Sequence, residues 1–416
     1  MTTKNQEYDI VGDLHGQADK LTALLEHLNY RPHGNHYRHP EGRKVIFLGD
    51  FIDRGPKIRE TLHLVRNMVE ASEAFAIAGN HELNAVFFHT PDGIGGYLRS
   101  HNKRHTESHA ATLAAFTGRE EEWADWLDWM KRLPLFLDLG ALRAVHAAWD
   151  EEAITFLRGK TLADADFLRA AATEGTPEFD AVETTLKGPE LPLPDGVIFY
   201  DKENIARNKV RVRWWNIKAG MTVGEIVVPE KFDLPRQLRP EDLERLPNYP
   251  ADAPPVFFGH YWMPPNVGKT PLAANVVCLD YSAAFGDNPL TAYRWNGFSS
   301  LDDSAFVAGA GKYQVYEEIF IYTDERDRRT IGNFVTSEAA VNFCKSVIDA
   351  DIARLRADAT GSVDLYYRYL VSRTVVEISG PGSSNFSSGA YAQSRVEEIA
   401  RADGLPHRAD NIIVTA

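Results

Sequence analysis

The sequence predicts an α/β fold, a mixed β-sheet architecture flanked by helices, with a small α+β module at its C-terminal end. Three observations carry that expectation. The N-terminal part alternates apolar, strand-like runs with stretches of helical period. Clusters of Asp, Asn and His stand at the end of one strand-like run after another. Near residue 300 the texture shifts, through the small and polar stretch "SSLDDSAFVAGAGK", to a separate set of elements.

Taken in order, "YDIVGD" reads as a first strand. "QADKLTALLEHLNY" follows as a helix, with Leu21, Leu24, Leu25 and Leu28 at helical spacing. "RKVIFLGD" is a second strand, and "KIRETLHLVRNMVE" a second helix with Ile58, Leu62, Val65 and Val69 on one face. "EAFAIAGN" closes a βαβαβ unit, whose crossovers require parallel pairing. Residues 82–132 read as helical and aromatic-rich, and "LPLFLDLG" and "ALRAVHA" as two strands joined at Gly140. Residues 150–250 read as irregular, with many prolines, before "PPVFFGH", "NVVCLDYSA" and "LTAYRW" return to strand character. Beyond the polar linker come a strand in "YEEIFIYTD", the helix "SEAAVNFCKSVIDADIARLRA", the strand "LYYRYLVSRTVVEIS" and a last helix. Two domains are therefore expected, at 1–300 and 311–416, the second with no role legible in its residues.

Composition narrows the function classes. The chain has 416 residues, 25% of them charged, and the balance of a soluble globular protein. No stretch reaches the roughly 18 apolar residues of a membrane span. The opening "MTTKNQEYDIVGDLHGQ" lacks an apolar signal core, so a cytoplasmic protein with no membrane partner is expected. Cys278 and Cys344 are far apart and form no paired motif, which suits a reducing compartment. The net charge of −14 argues against general nucleic-acid binding, while leaving room for a small phosphorylated substrate at a locally positive site.

The strand ends carry the chemistry. They deliver Asp13 and His15 ("GDLHG"), Asp50, Asp53 and Arg54 ("GDFIDRG"), Asn80, His81 and Glu82 ("GNHE"), His146 ("VHAAWD") and His260 ("FFGHYW"). One such tip is an ordinary polar turn. Five are hard to explain by turn chemistry, and active sites of open α/β sheets gather at the carboxyl ends of strands. Asp, Asn and His offer oxygen and neutral nitrogen donors to divalent cations, and a carboxylate such as Asp50 can bridge two of them.

Together these five motifs resemble the calcineurin-like metallophosphoesterases, and the full "DRG" and "NHE" forms resemble the phosphoprotein phosphatase branch. That branch holds serine/threonine phosphatases and bacterial diadenosine-tetraphosphatase-type members, whose closing strands "CLDYSAAFGDNPLTAYRW" is similar to. The resemblance covers residues 8–295 and departs at "HAAW", where protein phosphatases have glycines after the histidine. It implies a metallophosphoesterase-type β-sheet sandwich and two divalent metal ions, manganese foremost, with iron, zinc or cobalt as alternatives. Asp13, His15 and His260 would hold one metal with Asp50. Asn80 and His146 would hold the second, with Asp50 bridging. A bridging hydroxide would attack phosphorus in line. Arg54 would clamp phosphoryl oxygens, and His81, oriented by Asp53, would protonate the leaving oxygen. The implied function is hydrolysis of phosphate esters or anhydrides, leaning to small phosphorylated metabolites or dinucleotide polyphosphates. The alternatives are a serine/threonine protein phosphatase and, in another class, a non-catalytic metal-binding regulator.

Other features read more plainly. "NVGKT" at 266–270 lacks a P-loop glycine, since Met263 stands in its place. His101, His105 and His109 fall at helical spacing beside Lys103, Arg104 and Glu107, which suits a solvated face better than a metal site. His33, His36 and His39 read as surface histidines, and Trp123, Trp126 and Trp129 as a packing stripe. In "ARNKVRVRWW", an extended chain puts Arg207, Lys209, Arg211 and Arg213 on one face, opposite Val210, Val212 and Trp214. The plain reading is a charged edge strand. The functional one is a second phosphate-binding wall, with Arg211 and Arg213 as substrate-binding residues.

Overall fold

In the computed structural model, described for residues 6–193, 198–200, 206–228, 236–264, 268–286, 288–298, 300–309, 313–320, 326–334, 337–356, 359, 364–365, 374–379 and 387–402, the chain divides into two compact units, Met1–Gly309 and Ala310–Ala416. The first unit opens with Tyr8–Val11 (β1), Ala18–His27 (α1), Lys44–Phe47 (β2), Ile58–Glu70 (α2) and Ala74–Ala76 (β3). β1 pairs with β2, and β2 with β3, in parallel, as the two helical crossovers require. Leu21, Leu24, Leu25 and Leu28 are fully buried, so the helical spacing of α1 does point at the core. Between α1 and β2 the chain makes a small hairpin, Arg31–His33 with His36–Arg38. His33 and His36 are at its surface, whereas His39 is buried against Tyr30.

Four helices follow: Asn80–His89 (α3), Lys103–Ser108 (α4), Ala110–Ala115 (α5) and Glu120–Lys131 (α6). The tryptophans of α6 are buried, as a packing stripe should be. Phe136–Asp138 (β4) and Arg143–Val145 (β5) form an antiparallel pair about Gly140, whose φ of 74° suits a residue without a side chain. The region after β5 corrects the irregular reading. It contains Glu151–Leu157 (α7), Ala165–Ala171 (α8) and Pro177–Lys187 (α9). Asp150, Asp164 and Thr176 cap their first turns with side-chain acceptors, and Pro177 sits at the first helical position of α9. Lys209–Val212 (β6) then pairs with Glu190–Pro192 and Val227–Val228 in a small antiparallel sheet. The later strands are Val256–Phe258 (β7), Val276–Cys278 (β8), Thr291–Trp295 (β9) and Phe306–Ala308 (β10). β10 lies within the stretch expected to be a linker. It pairs antiparallel with β9, and Phe306 packs edge-on to Tyr293 with ring centroids 5.1 Å apart.

Two mixed sheets result, in the orders β10–β9–β1–β2–β3 and β8–β7–β5–β4. Period-two alternation decides what each face touches. Ile10, Ile46, Tyr293 and Trp295 of the first sheet share one buried cluster with Leu142, Ala144, Phe257 and Val277 of the second, which makes the pair a sandwich. Val45 and Phe47 point the other way, into a cluster with α1, α2 and α6. Val145, Val256, Phe258 and Val276 pack outward against Trp149, Trp214 and Trp215. The expected helix-flanked mixed sandwich is what forms.

The second unit has Tyr313–Phe320 (β11), Arg326–Phe334 (β12), Ser337–Arg356 (α10), Thr374–Ser379 (β13) and Ser388–Ala402 (α11). β11 is the middle strand, antiparallel to both neighbours. β12 was not anticipated. Ala340, Cys344, Ile348 and Ile352 repeat every fourth residue of α10 and form one buried stripe, joined by Val376, Ala392 and Val396.

The sandwich centre sets a stability expectation. Phe257 is fully buried and packs 5.2 Å from the ring of Tyr293. Phe257→Ala should destabilise the protein by about 3–5 kcal/mol. A denaturant midpoint unchanged from wild type would show that the two sheets do not share this core.

Candidate metal centre

Each sheet ends its parallel strands on the same side of the sandwich, and the polar tips meet there. β1 leads into Asp13 and His15, β2 into Asp50, and β3 into the N-terminus of α3 at Asn80 and His81. From the other sheet, β5 leads into His146, β7 into His260 and β8 into Asp280. The loops are sewn to one another by backbone bonds: the carbonyl of Asp50 accepts the N–H groups of Leu14 (3.1 Å) and His15 (2.7 Å), and Gly259 N donates to the carbonyl of His146 (2.8 Å).

This convergence has a conformational cost. His15, Asp50, Asp53, Arg54 and His260 all hold positive φ, at 43°, 53°, 65°, 67° and 65°. Such backbone costs about 1–3 kcal/mol per residue and persists where the surroundings over-determine it. Glu82 is a large part of those surroundings. Its carboxylate accepts the N–H groups of Asp50, Phe51 and Gly79, each at 2.8 Å, so one buried side chain ties the β2 tip to the β3 tip. Close packing leaves no room for side chains at two glycines. A Cβ on Gly259 would lie 2.0 Å from Asp13 Oδ1, and one on Gly79 would lie 2.2 Å from Asp50 Oδ1.

Asp50 is the hub. Its Oδ2 faces His15 Nε2 at 3.5 Å and His81 Nε2 at 3.9 Å, while its Oδ1 faces His146 Nε2 at 3.3 Å and accepts from His81 N at 3.0 Å. Among the described residues, two groups of side chains are close enough to share an ion: His15, Asp50 and His81, and Asp50, His146 and His260. The sequence reading put His260 with Asp13 and His15, and here the structure differs. The imidazole of His260 turns toward His146, with centroids 5.2 Å apart, and only the backbone N–H of His260 reaches the Asp13 carboxylate, at 3.1 and 3.3 Å. Asn80 Oδ1 is 3.0 Å from His146 Nε2, so it joins the second group.

The histidines are oriented as cation ligands need to be. His15 donates from Nδ1 to the carbonyl of Ile52 (2.9 Å) and His146 from Nδ1 to that of Leu48 (2.7 Å), which directs both Nε2 atoms into the centre. Nε2 of His15 and of His260 are buried without any hydrogen bond. Burial holds the His15 imidazole down at about 3, and burial followed by the Arg211 charge holds His260 well below the usual range. Both rings are therefore neutral, with a lone pair to give. Around them, burial and then Asp280 push Asp13 up, and burial with the Asp50 charge pushes Glu82 up to about 7. Burial opposes a charge on His146, yet Asp50 and Asp13 outweigh it and lift the imidazole to about 10. Bare imidazole nitrogens among crowded, buried carboxylates fit divalent cations of the Mn, Fe, Co and Zn kind.

The neighbouring groups fall into place around this hub. His81 Nδ1 is 2.6 Å from Asp53 Oδ2. Burial works against the His81 cation, but the Asp50 charge and the Asp53 hydrogen bond outweigh it and raise the imidazole. The guanidinium of Arg54 lies 4.3 Å over Trp262 and 5.5 Å from the ring of Phe285. Arg211 Nη1 donates to the carbonyl of His260 at 3.2 Å, which brings the basic strand to the centre. The alternation in β6 holds, with Val210, Val212 and Trp214 buried, and Arg213 stands just past the strand end, half-buried. Arg207 belongs to a different strand pair, and its side chain lies outside the described residues. So do Asn266 and Val267 of "NVGKT", whose Lys269 sits 4.7 Å over the Tyr281 ring.

Several contributors escaped the sequence reading. Asp280 accepts the N–H groups of Trp262 (3.0 Å) and Ser282 (2.9 Å). Lys20, only 6% exposed, donates to the carbonyls of Ala283 (2.7 Å), Gly286 (2.7 Å) and Asn288 (3.0 Å) and so braces the loop that presents Phe285. His109 is no part of a solvated histidine face. It lies at the break between α4 and α5, buried, with Nδ1 2.8 Å from Asp53 Oδ1. The aspartate at the end of "VVCLD" was a legible signal of the same kind as the other tips. Lys20 and His109 had none, because their partners are remote in sequence.

Residues 8–176 match the family model described as calcineurin-like phosphoesterase. The asymmetrical bis(5'-nucleosyl)-tetraphosphatase PrpE of Halalkalibacterium halodurans is 43% identical over 75 residues, 18% of this chain and 30% of that protein. The symmetrical bis(5'-nucleosyl)-tetraphosphatase of a Marinomonas species is 32% identical over 128 residues, 30% of this chain and 38% of that protein. A protein serine/threonine phosphatase from Saccharomyces cerevisiae aligns over 74% of this chain and 80% of its own, at 12% identity and a TM-score of 0.40. The chain spans about a third of the length of the curated relatives it matches. Over residues 8–176, the chain is similar to the calcineurin-like phosphoesterases.

Proposed function

We propose that this protein hydrolyses phosphate esters or anhydrides at a two-metal centre, acting on small phosphorylated metabolites or dinucleotide polyphosphates. The observation that carries the proposal is the division of Asp50. Its Oδ2 faces His15 and its Oδ1 faces His146, so the one carboxylate borders both ligand groups and would serve as a ligand common to the two. Asp13 and His15 complete one side, and Asn80, His146 and His260 the other. Divalent cations bound there, manganese foremost, with iron, zinc or cobalt as alternatives, would polarise the phosphoryl group and acidify a water.

The chain's own residues do the rest. Arg54, held flat by Trp262 and Phe285, binds two phosphoryl oxygens through its planar fork. His81 carries a proton on Nε2 and passes it to the leaving oxygen, while Asp53 fixes the ring through Nδ1. Arg211, anchored on the carbonyl of His260, and Arg213 beyond it serve phosphates other than the reacting one. The relatives named as bis(5'-nucleosyl)-tetraphosphatases support a substrate with several phosphates. Two free, buried thiols, Cys278 and Cys344, suit the reducing cytoplasm, and among the described residues no helix is long and apolar enough to cross a membrane. Residues 1–300 form the phosphoesterase domain in this proposal, and 311–416 a separate domain.

Four outcomes test it. Asp50→Asn should fold, bind fewer than two metals by elemental analysis and lose nearly all turnover. Two bound metals with activity near wild type would remove Asp50 as the bridge. His81→Asn should lose roughly 10²–10⁴ in rate on alkyl phosphates and far less on p-nitrophenyl phosphate, whose leaving group hardly needs a proton. Equal losses on both, at unchanged metal content, would contradict the general-acid role. Arg211→Ala or Arg213→Ala should weaken binding of dinucleotide polyphosphates about 10–150-fold, the worth of one charge-assisted hydrogen bond, with little change on an aryl monoester. A screen in which phosphopeptides are turned over and dinucleotide polyphosphates are not would overturn the proposed substrate class.

A further inference from the structure

The Asp53 carboxylate is gripped from behind. While Oδ2 meets His81 Nδ1 at 2.6 Å, Oδ1 takes two more bonds, from His109 Nδ1 at 2.8 Å and from the Thr112 hydroxyl at 2.5 Å. The backbone N–H of Asp53 donates back to the same Thr112 oxygen at 3.0 Å. Thr112 therefore gives its one hydroxyl proton to the side chain and takes the main-chain proton in return, closing a ring about Asp53. All the members are buried: Asp53 is 3% exposed, His109 4%, Thr112 0% and His81 8%. His109 is wedged among Phe88, His89 and Trp123, with centroids 5.4, 5.5 and 5.9 Å away. Its Nε2 has no hydrogen bond, so Asp53 is the group to which this ring is tied.

We infer that His109 and Thr112 are positioning residues for the leaving-group proton donor, acting through Asp53. The inference rests on the general-acid reading of His81. Asp53 stands at positive φ, and a carboxylate is free to turn about its own axis unless both oxygens are engaged. With Oδ1 saturated by two donors, Oδ2 is left to His81 alone, and the imidazole plane follows the carboxylate plane. His109 and Thr112 lie three apart at the start of α5, which puts both on one face of a single turn. That helix belongs to the segment after α3, not to a strand tip, so the proton donor is aimed by an element outside the metal-holding loops. A filler role would predict something else: loss of stability, with every substrate affected alike.

The test compares rates on an alkyl phosphate and on p-nitrophenyl phosphate in the metal-loaded full chain. Thr112→Val keeps the shape and removes the hydroxyl; His109→Phe keeps a ring and removes the donor. In each, the alkyl-to-aryl ratio of kcat should fall about 10–100-fold, the usual cost of losing an orienting partner, with KM changing little. Thr112→Ser should restore the ratio. In metal-free protein carrying 15N-histidine, the downfield Nδ1–H signal of His81 should move in Thr112→Val and return in Thr112→Ser, a readout independent of turnover. His81→Asn run alongside separates the two levels. If it collapses the ratio while Thr112→Val and His109→Phe, folded by circular dichroism, keep the wild-type ratio and signal, the inference is overturned and the general-acid reading stands. If His81→Asn leaves the ratio intact, the general-acid reading has failed and the inference falls with it. A loss shared equally by both substrates in the outer variants would reduce His109 and Thr112 to packing.

Discussion

A carboxylate buried to 2% exposure, with three imidazole rings around it, is the constraint on which the rest of this site depends. Moving the Asp50 charge out of water is costly unless the charge is paired and hydrogen-bonded. Burial pushes its pKa up, but His146 and His81 pull harder, so Asp50 stays ionised well below the ordinary carboxylate range. A second carboxylate, Asp13, is buried beside it, and Asp280 beside that. Such crowding of like charge is unfavourable alone and favourable around cations. Much of the architecture follows from holding this arrangement: strained backbone at the tips, Glu82 bonded to three N–H groups, and glycines where any Cβ would collide.

Much of the fold was legible because buried strands and amphipathic helices leave periodic traces. β1, β2 and β3 were readable from apolar runs, and α1 and α2 from their leucine and valine spacing. The strand-tip residues were readable for a related reason: a buried strand that ends on Asp or His has a use for it at a sheet's carboxyl edge. Reading failed where structure is made by short, capped elements. α7, α8 and α9 were lost among prolines, although Asp150, Asp164 and Thr176–Pro177 were start signals. The polar stretch after β9 hid β10, a three-residue edge strand with little apolar pattern of its own.

Which residues gather at the strand tips was legible in the sequence, and how they are arranged there was not. Whether His260 sides with Asp13 or with His146 depends on which way its ring turns, and that is decided by packing. Lys20 looks like a solvated helix lysine until its acceptors, Ala283 and Asn288, arrive 263 and 268 residues later. His109 sits in a run of charged residues that favours a water-facing reading, yet the break between α4 and α5 turns it inward onto Asp53, 56 residues away. Such groups fix the orientation of the residues they bond to, and they leave no local pattern.

In the proposed function, Asp50 bridges the two ligand groups. Anomalous diffraction from crystals of the wild-type protein grown with manganese measures that directly. Two peaks are expected, both within coordination distance of the Asp50 carboxylate, the first within reach of His15 and the second within reach of His146 and His260. A single peak, or two peaks neither of which contacts Asp50, would contradict that bridging role.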